Sequence, residues 1–419
     1  MSDINFPKGF LWGAATSSHQ VEGGNSENDW ADWESSGRAR EISGTACDHW
    51  RRFRDDYEMA KRLGHNAHRF SIEWSRVEPE EGHFDEAALL HYREVVETLR
   101  EKNLEPVVTL HHFTLPRWTA REGGFASPRF VQYFLRYADR VADVLSDQVR
   151  YWVTINEPLV LLYKGYVKGD WPPGERSSEN LLTAFKNIVL IHTELYRLLH
   201  AKRRNSWVGL AQHLRTFDPY RKFWPLDYLG VGLRRYFFND FLLKICTDGL
   251  SFFPGIESSI LKKARGTMDF IGVNYYTRDF VKFAFTSTLG KEVSKPFGSE
   301  IDERNSLGWE ICSGGFYRTL AGLKKFAKPV LVLENGICTR EDPRRIVFLK
   351  KHIKAMQRAM AKGVDIRGYF YWSLMDNFEW LDGFEPRFGL VEIDYKTQGR
   401  HPRPSAEYYA GIFRTGKIK

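Results

Sequence analysis

The chain has 419 residues, 42% of them hydrophobic and 27% charged, a make-up that suits a folded globular protein and excludes a disordered or low-complexity one. The formal net charge is +8, with a pI near 9.1. Lys and Arg are mixed with Asp and Glu along the predicted helices, and basic clusters such as Lys202-Arg203-Arg204 are short, so the charge reads as a solvated surface and argues against a nucleic-acid partner.

Short apolar runs alternate with helical patterns from end to end. Residues 9–16 (GFLWGAAT) read as a first strand, followed by a helix over 49–63 that Gly64 closes. Residues 67–74 (AHRFSIEW) read as the second strand, and Asp85 starts a helix that runs through Leu99 towards Asn103. Residues 105–113 (EPVVTLHHF) form the third, and Ser127-Pro128 is expected to open a helix, with a cap residue and a proline at the first helical position. The fourth, YWVTINEP (151–158), carries aromatic and β-branched residues and ends on an amide, a carboxyl and a proline. A helix over 181–202 leads to the fifth strand, 207–214, and more helix is expected around 228–245. The sixth, seventh and eighth strands are 268–277 (MDFIGVNYYT), 329–337 (PVLVLENGI) and 366–374 (IRGYFYWSL). Helices are expected over 316–326, 344–362 and 405–413, and 279–307 reads as the longest irregular stretch.

Eight such units predict an α/β fold, a single (β/α)8 TIM barrel, because strands buried on both faces and separated by helices imply a parallel sheet. A doubly wound open sheet is the alternative. No Gly-x-Gly-x-x-Gly turn follows the first strand, which counts against a dinucleotide-binding version. No linker or repeat divides the chain, so residues 1–419 are expected to form one catalytic domain. Cys47, Cys246, Cys312 and Cys338 are scattered, without metal-ligand spacing, and read as reduced thiols. Residues 1–7 have neither the basic nor the apolar region of a signal peptide, and no apolar run approaches a membrane span. A cytoplasmic protein without a membrane partner is expected.

In such barrels the chemistry sits at the C-terminal strand ends. Those ends carry Arg69, His111 and His112, Asn156 and Glu157, then Asn274, Tyr275 and Tyr276. Glu334 and Asn335 follow on the seventh, Trp372 on the eighth, and Asp376 to Trp380 in the loop beyond. Two carboxyls on strands four and seven can face each other across the mouth. Paired carboxyls beside aromatics suit glycosidic bond cleavage, in which one donates a proton and the other stays ionised. Arg69 could hold one of them ionised. His111 and His112 are adjacent, so on a strand only one faces the pocket, and a shared metal is not expected.

The motifs in order are FLWGAATSSHQVEG (10–23), RFSIEWSR (69–76), LHHFTLP (110–116), TINEP (154–158), GVNYYT (272–277), LENGI (333–337), YWSLMDNFEW (371–380) and RFGLVEIDY (387–395). With them the sequence resembles the family 1 glycoside hydrolases, the retaining β-glycosidases that include β-glucosidases. The resemblance implies Glu157 as general acid/base and Glu334 as nucleophile. It implies Asn156 at the sugar 2-hydroxyl, and Arg69 and Tyr276, with Asn274 beside them, holding the nucleophile. Gln20, His112, Trp372, Glu379, Trp380 and Phe388 would grip the nonreducing sugar. Read without the resemblance, Trp372 and Phe388 fit plain core aromatics and Gln20 a turn residue. Arg69 fits an ordinary barrel ion pair with Glu73 or another acid, and Cys338 an inert buried thiol.

The implied activity is hydrolysis of terminal nonreducing β-D-glycosides, a β-glucosidase first, with β-galactosidase or β-fucosidase activity alongside. No cofactor and no metal are implied. The partner is a small β-glycoside or oligosaccharide, and the oligomeric state stays open. A transglycosylase on the same site and a non-catalytic sugar-binding barrel are the alternatives. Glu157 is an acid where the thioglucosidase branch has glutamine, which favours O-glycosides. Glu379 would repel a phosphate, which favours an unphosphorylated sugar. Departures from the family are Phe113 in place of tryptophan, CSGG (312–315) in place of a proline-containing stretch, and short loops on the aglycone side.

Overall fold

The eight apolar runs become the staves of one closed parallel barrel: β1 (Leu11–Ala15), β2 (Ala67–Ser71), β3 (Glu105–Thr109), β4 (Tyr151–Asn156), β5 (Trp207–His213), β6 (Phe270–Asn274), β7 (Val330–Asn335) and β8 (Ile366–Trp372). The computed structural model describes residues 6–250, 255–284, 287–293, 295–296, 303–416 and 418. Each strand pairs with its neighbours in sequence, and β1 closes the ring on β8 from Leu11 opposite Gly368 to Ala15 opposite Trp372. Every residue of β2 and β7 is buried, as expected for strands covered on both faces. Ala15, Ala67, Val107, Val153, Phe270 and Leu331 fill the barrel inside.

The outer layer consists of α1 (His49–Arg62), α2 (Glu86–Glu101), α3 (Phe130–Leu145), α4 (Ser178–Lys202), α5 (Phe241–Asp248), α6 (Ser313–Gly322), α7 (Asp342–Ala361) and α8 (Pro404–Thr415). Asp85 caps α2 by accepting from Ala87 N and Ala88 N, as the sequence suggests. Tyr57, Phe134, Ile188 and Met356 pack from these helices against the outer strand faces. In α8 the Tyr409 hydroxyl lies 2.9 Å from Gly13 O and 3.2 Å from Tyr369 O, across the seam between first and last strands.

Several boundaries differ from expectation. β2 stops at Ser71 because Trp74 already begins a short helix, Trp74–Val77. β3 stops at Thr109, although Leu110 N still bonds Val153 O; Phe113, with φ +72°, then turns the chain. Ser127-Pro128 does not open α3: the cap position is Arg129, and Ser127 sits one turn earlier, its carbonyl accepting from Phe130 N. The helix expected over 228–245 is split into Pro225–Arg234 and α5 by a wide turn, Arg235–Asp240. The stretch 279–307 is not wholly irregular. Strand Arg278–Ala284 pairs in parallel with Thr216–Pro219 and antiparallel with Ser287–Val293, because Phe280 and Val281 have a buried face to fill. Residues 285–286, 294 and 297–302 of that stretch lie outside the described residues. A second small hairpin joins Val391–Asp394 to Gly399–Pro402.

Gly336 follows β7 directly, and a Cβ there would stand 1.8 Å from Trp372 O. The clash is with backbone on the neighbouring strand end and cannot be relieved by a rotamer. Gly336→Ala is expected to cost about 3 kcal/mol in denaturant unfolding, whereas Gly314→Ala, in open space on α6, should be neutral or stabilising by up to about 1 kcal/mol.

Candidate active site

The mouth of the barrel is shaped by two local departures from regular strand. In an unbroken strand, neighbouring side chains point to opposite faces. Glu157 breaks β4 with φ +43° and ψ +53°, and Pro158 then starts a short helix, Pro158–Leu162. Both Asn156 and Glu157 thereby reach the mouth, where Asn274 Nδ2 donates to Asn156 Oδ1 (3.1 Å) and to Glu157 Oε1 (2.8 Å). On β7 a register shift between Val332 and Glu334 against β6 does the same for Glu334.

Arg69, fully buried on β2, joins the two sides. Its Nη1 donates to Glu334 Oε1 at 2.5 Å, its Nη2 to Asn156 Oδ1 at 2.7 Å and its Nε to Thr109 Oγ1 at 3.1 Å. Tyr276 completes the cradle by donating to Glu334 Oε2 at 2.6 Å. The alternative pairing with Glu73 is not made: that carboxylate accepts from Ser18, Ser75 and Thr114. The continuous chain Glu334–Arg69–Asn156–Asn274–Glu157, with Tyr276 on Glu334, therefore brings together all six residues expected at the reacting centre.

Burial pushes the Glu334 carboxyl up to about 7, against the lowering pull of Arg69; the charge of Glu157 adds to the rise and Tyr276 opposes it. For Glu157, burial is the largest influence and raises it, while a charged His213, whose Nδ1 lies 3.2 Å from Oε1, would hold it below the ordinary range. Arg215 Nε donates to His213 Nε2 at 3.1 Å, so that nitrogen offers a lone pair and the ring is neutral. At Glu157 burial then works against the hydrogen bonds from Asn274 and His213 and the charge of Arg69. Two carboxyls so coupled share their protons as a pair. A guanidinium and a phenol hold Glu334, while only neutral donors reach Glu157, so the shared proton favours Glu157.

The remaining expected residues line one wall of the same mouth. Gln20 is buried in a short helix, Ser18–Val21, not in a turn; its Nε2 donates to Phe378 O (2.7 Å), Asn377 Oδ1 (3.0 Å) and Glu379 Oε2 (3.4 Å). Burial raises the Glu379 carboxyl to about 8, with the charge of Glu334 adding to the effect. His112 lies 3.3 Å from Asn156 Nδ2 and is flanked by the rings of Trp372 and Trp380, with centroids 6.0 and 6.2 Å away. His111 turns the other way, against Phe125 and Phe134 under the helices. Phe388 packs near Tyr276 and Trp309, and Phe113 against Trp171 and Trp380. Cys338 is a buried thiol that burial pushes up to about 11, as an inert cysteine should be. None of the four cysteines is paired. The CSGG stretch caps α6: Cys312 Sγ accepts from Gly315 N, and a Cβ on Gly315 would meet Tyr275 Oη at 2.4 Å. Among the described residues no three His, Cys, Asp or Glu side chains gather to hold a metal ion.

His213 and Trp309 escape the sequence reading. His213 is the last residue of β5, so taking every strand end in turn would have found it. Trp309 has no such signal, because it arrives on a loop between β6 and α6.

The model of glycosyl hydrolase family 1 matches residues 2–418. β-Glucosidase A of Thermotoga maritima is 30% identical over 454 residues, covering 100% of both chains. The solved β-glycosidase of Pyrococcus horikoshii is 38% identical with a TM-score of 0.90, covering 100% of this chain and 96% of that one. The Thermotoga maritima β-glucosidase in complex with glucoimidazole is 30% identical with a TM-score of 0.92, covering 98% of this chain and 99% of that one. With a barrel of the same architecture and a match that leaves almost no residue outside it, this chain belongs to glycosyl hydrolase family 1 and is a glycoside hydrolase.

Proposed function

We propose that the chain, acting as one catalytic domain over residues 1–419, is a retaining β-glycosidase with β-glucosides as its first substrates. The observation that carries this reading is the unequal pair: Glu334 held by a cation and a phenol, Glu157 held by neutral donors. The names of the relatives, and the neighbour complexes with glucoimidazole and deoxynojirimycin, support a glucose-like ring in the site. His112 Nδ1 and Asn274 Oδ1, buried without a partner among the described residues, suit a ligand rich in hydroxyls. Gln20 and Glu379 supply further polar groups, and Trp372, Trp380 and Phe388 the apolar surface for the ring face.

In this mechanism Glu334 attacks the anomeric carbon, and the glycosidic C–O bond breaks as Glu157 gives its proton to the leaving oxygen. Asn156 bonds the sugar 2-hydroxyl. The glycosyl-enzyme ester is then attacked by water, which loses a proton to Glu157, and the sugar leaves with its β configuration. Arg69, Tyr276 and Asn274 hold the two carboxyls in place. The carboxyls are expected about 5–5.5 Å apart. The described helices include none long and apolar enough to cross a membrane, and four unpaired cysteines suit a reducing compartment; we place the enzyme in the cytoplasm.

Glu334→Ala should abolish hydrolysis of aryl β-glucosides with an unchanged circular dichroism spectrum; near-full activity would sink the assignment. Glu157→Ala should lose roughly 10²–10⁴-fold in kcat/KM on poor leaving groups, with azide restoring turnover of an activated substrate as the β-glycosyl azide. If no azide adduct forms, Glu157 is not the acid/base. The Tyr276 hydroxyl lowers Glu334, whose ionised form is the reactive one. Tyr276→Phe should therefore move the acid limb of kcat/KM to higher pH, and a limb that stays put or moves down contradicts the nucleophile's assignment.

A further inference from the structure

Behind Glu157 stands a second row of side chains that the proposed steps do not use. His213 Nδ1 lies 3.2 Å from Glu157 Oε1, the oxygen that also accepts from Asn274. Arg215 Nε donates to His213 Nε2 at 3.1 Å, and its Nη1 donates to Asp279 Oδ2 at 2.8 Å. The Arg215 backbone is tied on both sides to one side chain: its N donates to Asn239 Oδ1 (3.1 Å) and its O accepts from Asn239 Nδ2 (2.7 Å). Phe238 sits edge-on to the His213 ring and under the Arg215 guanidinium. The row runs from the strand Arg278–Ala284 to the end of β5, so three separate segments fix it.

A neutral imidazole has one N–H. With Nε2 accepting from a guanidinium, the proton must sit on Nδ1, facing Glu157 Oε1. That oxygen then has two donors, Asn274 and His213, so a proton on the Glu157 carboxyl can sit only on Oε2. We propose that Arg215 is a positioning residue for the acid/base: by donating to His213 Nε2 it keeps that ring neutral and its Nδ1–H on Glu157 Oε1, which leaves Oε2 as the oxygen that delivers the proton. The inference rests on Glu157 being the acid/base.

Arg215 acts in two ways. It occupies the lone pair that would otherwise take a second proton, and its charge repels an imidazolium. Without it, His213 can become a cation beside Glu157 and favour the carboxylate, which is useless as an acid. The other charged and titratable groups about Glu157 are Arg69 from β2, Glu334 from β7, Tyr276 after β6 and Glu379 after β8; Tyr276 also faces His213, and Asp279 faces Arg215. Of these, a substitution at Arg215 alters directly only Asp279, which loses its ion pair.

The test compares kcat/KM against pH for an alkyl β-glucoside, which needs protonation of its leaving group, and a 2,4-dinitrophenyl β-glucoside, which does not. In Arg215→Met the alkaline limb for the alkyl substrate should move down by about one pH unit, a loss of about tenfold above it, while the dinitrophenyl substrate loses less than about twofold. Arg215→Lys, which keeps a donor and a charge, should recover most of the loss and guards against misfolding of the methionine variant. In a His213→Gln background, where no imidazolium can form, Arg215→Met should no longer move the limb. An unmoved limb, an equal loss on both substrates, or a shift that persists with His213→Gln overturns the proposal. If Glu157 were not the acid, the wild-type enzyme would show no alkaline limb specific to the alkyl substrate, a result distinct from all three.

Discussion

A guanidinium sealed inside a barrel has to be answered by an anion. Arg69 is fully buried, and leaving such a charge unpaired would cost several kcal/mol. Glu334 supplies the anion. The same cation also sets the direction of an amide two strands away. Asn156 Oδ1 accepts from Arg69 and from Asn274, so its Nδ2 has to point elsewhere, and it points at His112. One residue thus fixes the charge of one carboxyl, the orientation of an amide and, through Asn274, the placement of the second carboxyl.

This arrangement opposes folding as much as it serves chemistry. Glu334 and Glu379 are both pushed up, to about 7 and about 8, by burial first, with the charge of Glu157 adding at Glu334 and that of Glu334 adding at Glu379. A carboxyl whose folded value lies above its unfolded one binds protons more tightly when folded. Its contribution to stability is present below the unfolded value and is lost as pH rises towards the folded one. The window here runs from the ordinary carboxylate range up to 7–8, where the ionised nucleophile is needed. The core of aromatic and branched side chains around the strands offsets that cost.

The barrel was legible in the sequence because strands buried on both faces are dense in Val, Ile, Leu and aromatics, and the helices between them carry clear caps such as Asp85. Strand ends were less legible, since Phe113 and Glu157 take left-handed conformations that their types do not announce. The strand Arg278–Ala284 was missed because its partner, Thr216–Pro219, lies some sixty positions earlier. The carboxyl pair came from reading the strand ends in order, and the wall around Gln20 and Glu379 from motifs. His213 was missed for another reason. A histidine beside Gln212 says little by itself, and its meaning comes from Arg215, Asn239 and Asp279, which only the fold assembles.

The Tyr409 hydroxyl, set between Gly13 O and Tyr369 O, has a kinetic meaning. The first strand finds its second neighbour only after the eighth has been made, and the residue that straddles their seam lies 396 positions from its partner in the first. Contacts of such separation are slow to form, because the loop entropy has to be overcome before any contact rewards it. A sheet of the first seven strands alone would leave one edge of β1 unpaired. Closing the ring removes that edge, and with it a template for edge-to-edge association.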